Sequence, residues 1–149
     1  MSSPPTWTAP ALRYLGPILL LLLVVEAALG ASTNLNGPAN FTAQTQLPAL
    51  MAHEGVGYLL GLAAVVALVA AMLERRTPNV IHAVLVLVGV GVAGVSGRAF
   101  IQTTPNPSAY SALMALMFLV ALGGAIGMTV VAWRSMRPTP PGSPDPKPN

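Results

Sequence analysis

Four stretches of this chain run for about twenty residues with almost no charge: residues 12–33, 52–73, 80–101 and 109–133. A segment of that length covers the ~30 Å hydrocarbon core of a bilayer when wound as a helix rising ~1.5 Å per residue. Lipid offers no hydrogen bonds, so the backbone must satisfy itself, either as a helix or in a closed barrel. Barrel strands are ~10 residues long and alternate polar with apolar side chains. No such alternation exists here, and the first stretch contains the unbroken apolar run Ile18–Val25. The sequence predicts an all-α protein, an integral membrane antiparallel four-helix bundle occupying residues 1–137.

Composition narrows the function classes. Hydrophobic residues make up 54% of the 149 positions and charged residues 7%, against roughly 25% charged in a soluble domain. That excludes a soluble enzyme, a nucleic-acid-binding domain and a disordered chain. There is no cysteine, which removes disulfides, thiolate metal sites and iron–sulfur clusters. The net charge of +3 comes from seven Lys/Arg and four Asp/Glu. The cations sit at the ends of the apolar runs rather than clustered on one face, so no nucleic acid is expected as a partner.

The links set the topology. Glu74–Asn79 joins the second and third spans, and Gln102–Ser108, with Pro105 and Pro107, joins the third and fourth. Links this short make neighbours antiparallel. The first link, Asn34–Met51, is longer and polar and is expected to form a small cap. Residues 138–149 hold six prolines and read as a disordered, polyproline-like cytoplasmic tail. Arg13, Arg75, Arg76, Arg134, Arg137 and Lys147 fall on one side and Arg98 near the other. The positive-inside rule then predicts both termini inside, in a multi-pass protein of a prokaryotic cell membrane. Asn40-Phe41-Thr42 has the glycosylation spacing, which matters only in a eukaryotic secretory membrane. A competing reading takes Ile18–Val25 and the small residues Ala27-Ala28-Leu29-Gly30-Ala31 as a cleaved signal peptide. Glu26 and a proline-containing leader with a single arginine argue against it, and cleavage would leave three spans in the same orientation.

Ionisable side chains inside the bilayer cost about 2.5–3.5 kcal/mol each on insertion scales, so each needs a reason. Threaded on this topology, Glu26, His53, Glu54, Arg98, Tyr110 and Ser111 gather at the outer end as one buried polar cluster. Arg98 shares a helical face with Gly94 and Gly91, and His53 shares one with Gly57, Gly61 and Ala64. Small residues let helices approach closely, so these faces are expected to point inward and to bury Arg98 against Glu26 or Glu54. Such a pair serves either as a structural staple or as part of a proton or small-solute carrier built on Glu26 and Arg98. His82 stands alone at the opposite end, about 30 Å from His53 along the bundle. The two histidines therefore cannot flank one haem. A haem b near the outer end would take His53 with Met114 or Met117 on the fourth span, unless those methionines only fill gaps in the core. Gly57-x-x-x-Gly61 and Gly123-x-x-x-Gly127 are small-residue seams, for internal packing or for docking to other subunits. Ser96 or Ser111 with His53 and Glu54 supplies hydrolase residue types without a hydrolase motif.

Val25-Glu26-Ala27-Ala28-Leu29-Gly30-Ala31-Ser32-Thr33, followed by His53 and Gly57-Tyr58-Leu59-Leu60-Gly61-Leu62, resembles the first two helices of haem A synthase-type membrane proteins. These are built from four-helix halves, each about the length of this chain. The resemblance implies a haem-ligating role for His53. It does not extend to Leu50, where the family has a glutamate, nor to Ser111, Met114 and Met117, where it has a second histidine. Ser96-Gly97-Arg98-Ala99-Phe100 and Ser111-Ala112-Leu113-Met114-Ala115 are similar to segments of small four-helix bacterial membrane proteins with no assigned function. With no complete catalytic set, the sequence predicts a non-catalytic accessory or assembly subunit of a larger membrane complex, such as a respiratory one. Haem-b electron transfer or handling through His53, and a carrier using Glu26 and Arg98, stand as the alternatives.

Overall fold

The computed structural model describes residues 5–35, 47–102 and 107–135. They form four helices: α1 (Thr8–Leu35), α2 (Leu47–Glu74), α3 (Thr77–Gln102) and α4 (Pro107–Arg134). There is no strand among the described residues. All four helices are long and apolar enough to cross a membrane, so the chain is a small polytopic membrane protein. Consecutive helices are neighbours and α4 closes the ring against α1. The closest pair is α3 with α4, while α2 with α3, like α1 with α4, is held more loosely. Exposed Leu21, Val24, Leu62, Val95 and Leu119 cover the outside with apolar surface suited to lipid. The expected cap (in its residues 36–46), the Asn40 acceptor, Arg137, Lys147 and the tail 138–149 lie outside the described residues.

The helices are longer than the apolar runs, and proline explains the difference. Pro48, Pro78 and Pro107 mark links in the sequence, yet each stands in the first turn of a helix. There the missing N–H has no intrahelical partner to lose, and the fixed φ suits a helix start. As a result α2 begins at Leu47 rather than at residue 52, and His53 is its seventh residue. That places His53 about 9 Å into the helix.

Only Arg75 and Arg76 separate α2 from α3. Arg75 takes the left-handed conformation, φ 59°, where glycine is the usual residue. Its N–H reaches the carbonyls of Ala71 and Met72, at 3.1 and 3.2 Å. An arginine there keeps a positive charge at the helix end instead of the conformational ease of glycine. Asn79, buried at 6% exposure, donates from its side chain to Glu74 Oε2 and ties the start of α3 to the end of α2.

Most of the core sits in the half of the bundle nearest this turn. It is built from Leu12 and Leu19 on α1, Ala67 and Ala71 on α2, Ala83 and Val86 on α3, and Ala121, Ala125 and Met128 on α4. The small side chains bring backbones together where lipid provides no hydrophobic drive between helices. A Cβ at Gly89 would lie 2.6 Å from the Met117 carbonyl oxygen, and one at Gly124 would lie 2.8 Å from that of His82. One at Gly16 would meet Thr129 Oγ1 at 2.6 Å, joining α1 to α4. The His82 ring lies on Gly127, and its Nδ1 donates to the Pro78 carbonyl at 2.7 Å. A carbonyl only accepts, so this bond fixes the Nδ1–H tautomer.

Candidate functional site

Away from the turn, α1 and α2 carry a matched pair of polar side chains. Glu26 Oε1 lies 3.2 Å from His53 Nδ1. Each side chain rests on a glycine of the opposite helix. A Cβ at Gly57 would come 3.1 Å from Glu26 Oε1, and one at Gly30 would come 3.2 Å from His53 Cε1. Glu26 and Gly30 are one helical turn apart, as are His53 and Gly57. Two antiparallel helices thus exchange a polar knob for a glycine hole in both directions.

The pair is largely buried, with 16% of the Glu26 side chain and 23% of the His53 side chain exposed. Its hydrogen bonding is incomplete. The 3.2 Å approach is an ion-pair distance that falls short of hydrogen-bond geometry. Glu26 Oε2 and His53 Nδ1 are both buried without a hydrogen-bond partner among the described residues.

Beside the pair lies a cavity of about 790 Å³. Leu23, Leu60, Phe118 and Ala121 line it toward the core. Gly61, Gly91 and Gly94 line it as well, and, their own helix backbone and chain neighbours aside, no atom among the described residues stands within 4 Å of where their Cβ atoms would be. Tyr58 and Leu62 of α2 and Val95 of α3 both line the cavity and are exposed, so its mouth opens sideways between α2 and α3. The tight turn joins these two helices at one end, and their looser packing leaves the gap toward the other.

Of the residues singled out in the sequence, Glu26, His53, Glu54, Arg98, Ser111 and Met114 line this cavity. Tyr110 and Met117 are not among its lining residues; Tyr110 is half-buried in the first turn of α4, and the carbonyl of Met117 faces Gly89. Met114 Sδ packs on Gly97, 3.4 Å from where its Cβ would be. Ser96 is buried at 3% exposure and does not line the cavity.

The expected Glu–Arg pair is not formed. Among the described residues Arg98 makes no ion pair, and Arg98 and Glu54 are both exposed. The reason lies in how α3 is turned. Its buried row runs through Asn79, Ala83, Val86, Gly89 and Ser96. Arg98 stands two residues past Ser96, about 200° round a helix of 3.6 residues per turn. Gly91, Gly94 and Arg98 consequently form the rim of the cavity instead of an interhelical seam. Histidine takes the place expected for arginine. The opposed spacings Glu26-x-x-x-Gly30 and His53-x-x-x-Gly57 were the available signal.

No protein-family model matches the chain, and searches of curated proteins and of solved structures found no match. The fold and the cavity therefore define a class, a four-helix polytopic membrane protein with a lateral interhelical pocket, and function must be argued from that pocket.

Proposed function

We propose that this protein binds an apolar, bilayer-dissolved molecule in the cavity between α2 and α3. The cavity itself carries the reading. Its volume of about 790 Å³ falls within the ~300–1,000 Å³ typical of small-molecule sites. Its walls are mostly apolar with a few polar groups converging at one side, the usual make-up of a ligand site between helices. A mouth facing the lipid suits a ligand that arrives through the bilayer. Arg13, Arg75, Arg76 and Arg134 at the turn end support a cytoplasmic position for that end under the positive-inside rule, with the pocket then in the outer leaflet.

A hexadecane bearing a diazirine tests this. Photolabelling in membranes should mark peptides of α2 and α3 around residues 58–62 and 91–95, and Gly94→Leu, which fills the space, should remove the label. Uniform labelling of all four helices, unaffected by Gly94→Leu, would contradict the proposal.

The accessory-subunit reading relied on glycine faces free to dock. Gly16, Gly30, Gly57, Gly89, Gly124 and Gly127 are occupied by contacts inside the bundle, which leaves less small-residue surface for a partner helix. The carrier reading loses the pairing of Glu26 with Arg98 and retains Glu26 with His53.

A second reading, haem b on His53, has one observation in its favour. A carboxylate beside Nδ1 is the usual support for a histidine that ligates metal through its other nitrogen. His53 and Met114, which both line the cavity, are the residues that would hold such a group, and it would supply one-electron chemistry there. The visible spectrum of haem-supplemented protein decides it. This reading expects a Soret band that His53→Ala abolishes, and no band at all would end it.

A further inference from the structure

The mouth of the cavity is charged at one end only, which specifies the kind of molecule that enters it; the inference rests on the cavity being a binding site. Two rows of residues flank the mouth. Glu54, Tyr58 and Leu62 stand four residues apart on α2, and Gly91, Val95 and Arg98 stand four and then three apart on α3. Such spacings keep a row on one side of a helix. All six residues are exposed and line the cavity. Each row ends in a charge on the side away from the turn and carries no other. Glu54 lies 20 residues before Glu74, the last residue of α2, and Arg98 lies 21 residues after Thr77, the first of α3. At ~1.5 Å per residue both are about 30 Å from the turn, the thickness of the hydrocarbon core. With Arg75 and Arg76 at one face of the bilayer, Glu54 and Arg98 stand level with each other among the headgroups of the other face.

These two side chains do not neutralise each other. Among the described residues neither Glu54 nor Arg98 makes an ion pair, whereas Glu26 and His53, further along the same lining, lie against one another. The guanidinium of Arg98 is always protonated, and its planar fork of donors matches a phosphate. The carboxylate of Glu54 accepts hydrogen bonds and matches an ammonium. A purely anionic headgroup would set its charge beside Glu54 as well as Arg98, and a purely cationic one would meet the reverse. A headgroup carrying both signs is attracted by both rows. We propose that the occupant is a membrane lipid with a phosphate–ammonium headgroup, its phosphate on Arg98, its ammonium on Glu54, and an acyl chain running between the rows toward Leu60 and Phe118.

The test is competition against the diazirine hexadecane in a non-ionic detergent. Palmitoyl lysophosphatidylethanolamine, palmitoyl lysophosphatidylglycerol and monopalmitoylglycerol share one chain and differ in the headgroup, which is zwitterionic, anionic and uncharged in turn. The zwitterion should displace the probe at the lowest concentration, about tenfold below the uncharged lipid, the ratio that ~1.4 kcal/mol of charge-assisted hydrogen bonding gives. Arg98→Gln should bring the zwitterion level with the uncharged lipid. Glu54→Gln should remove the preference for the zwitterion over the anion. Both residues are exposed at the rim, and the three-lipid comparison on the wild-type protein stands without the variants. Equal displacement by all three lipids would overturn the headgroup assignment and leave the cavity reading standing. Displacement by the anion below the zwitterion would overturn it too, with Arg98 then acting alone. Failure of the probe to label α2 and α3 at all would remove the cavity reading, and this inference with it.

Discussion

Gly89→Ala should separate α3 from α4, whereas Gly91→Ala, two residues on, should leave the bundle intact. A methyl group at Gly89 would stand 2.6 Å from the Met117 carbonyl oxygen, 2.7 Å from the Ala121 nitrogen and 2.9 Å from the Ala121 Cβ. Backbone atoms supply two of these contacts, so no change of rotamer relieves them and the helices themselves must move. Overpacking typically costs 1–3 kcal/mol, and a backbone obstruction belongs at the upper end, about 3 kcal/mol. The loss is large because α3 and α4 form the most closely packed pair. At Gly91 no atom among the described residues, its own helix backbone and chain neighbours aside, lies within 4 Å of the added Cβ. Thermal unfolding in detergent, followed by circular dichroism, should show Gly89→Ala melting well below wild type and Gly91→Ala within a degree or two of it. Equal melting of the two variants would mean that α3 is turned differently from the arrangement described here.

The second large effect belongs to the Glu26–His53 pair. Glu26→Ala should leave a buried imidazole opposite Gly30 without its acid, and His53→Ala should leave a carboxylate over Gly57 without its base. Removing one member of such a pair strands the other, at about 1–3 kcal/mol. The part-exposure of both side chains and their imperfect alignment keep the figure below that of a fully enclosed ion pair. The double variant should cost less than the sum of the two, since no charged group is then left unmatched. A double-mutant cycle by denaturing-detergent titration measures this coupling, and strict additivity would show that the two residues do not interact. Gly57→Ala should be mild by comparison. Its Cβ would meet Glu26 Oε1 at 3.1 Å, and a carboxylate at the end of a flexible side chain can yield.

The number of helices and their antiparallel order were legible, because the length of an apolar run reports directly on the bilayer. Helix ends were not legible where proline served as a first-turn residue, as at Pro48, Pro78 and Pro107. The rotation of α3 was not legible either. That helix is apolar on nearly every side, and of its cavity-lining glycines Gly89 also packs on α4 whereas Gly91 and Gly94 do not. In a membrane the usual polar stripe that marks an outward face is missing, and small residues serve equally for tight seams and for open walls. The sequence therefore points Arg98 inward, and it sets His53 in the same cluster as Glu26 without pairing the two. His53 and Glu26 were both recognised as needing a reason to be in lipid. The pairing depended on register, which their two glycines four residues away specify only when read together.

The central claim, that the gap between α2 and α3 is a binding site, is tested most directly by native mass spectrometry of the intact protein released from mild detergent. Wild-type protein should carry an added mass of a few hundred daltons in a one-to-one ratio, and Gly94→Leu should appear at the bare chain mass. A wild-type spectrum showing only the bare chain, with Gly94→Leu no different, would contradict the account.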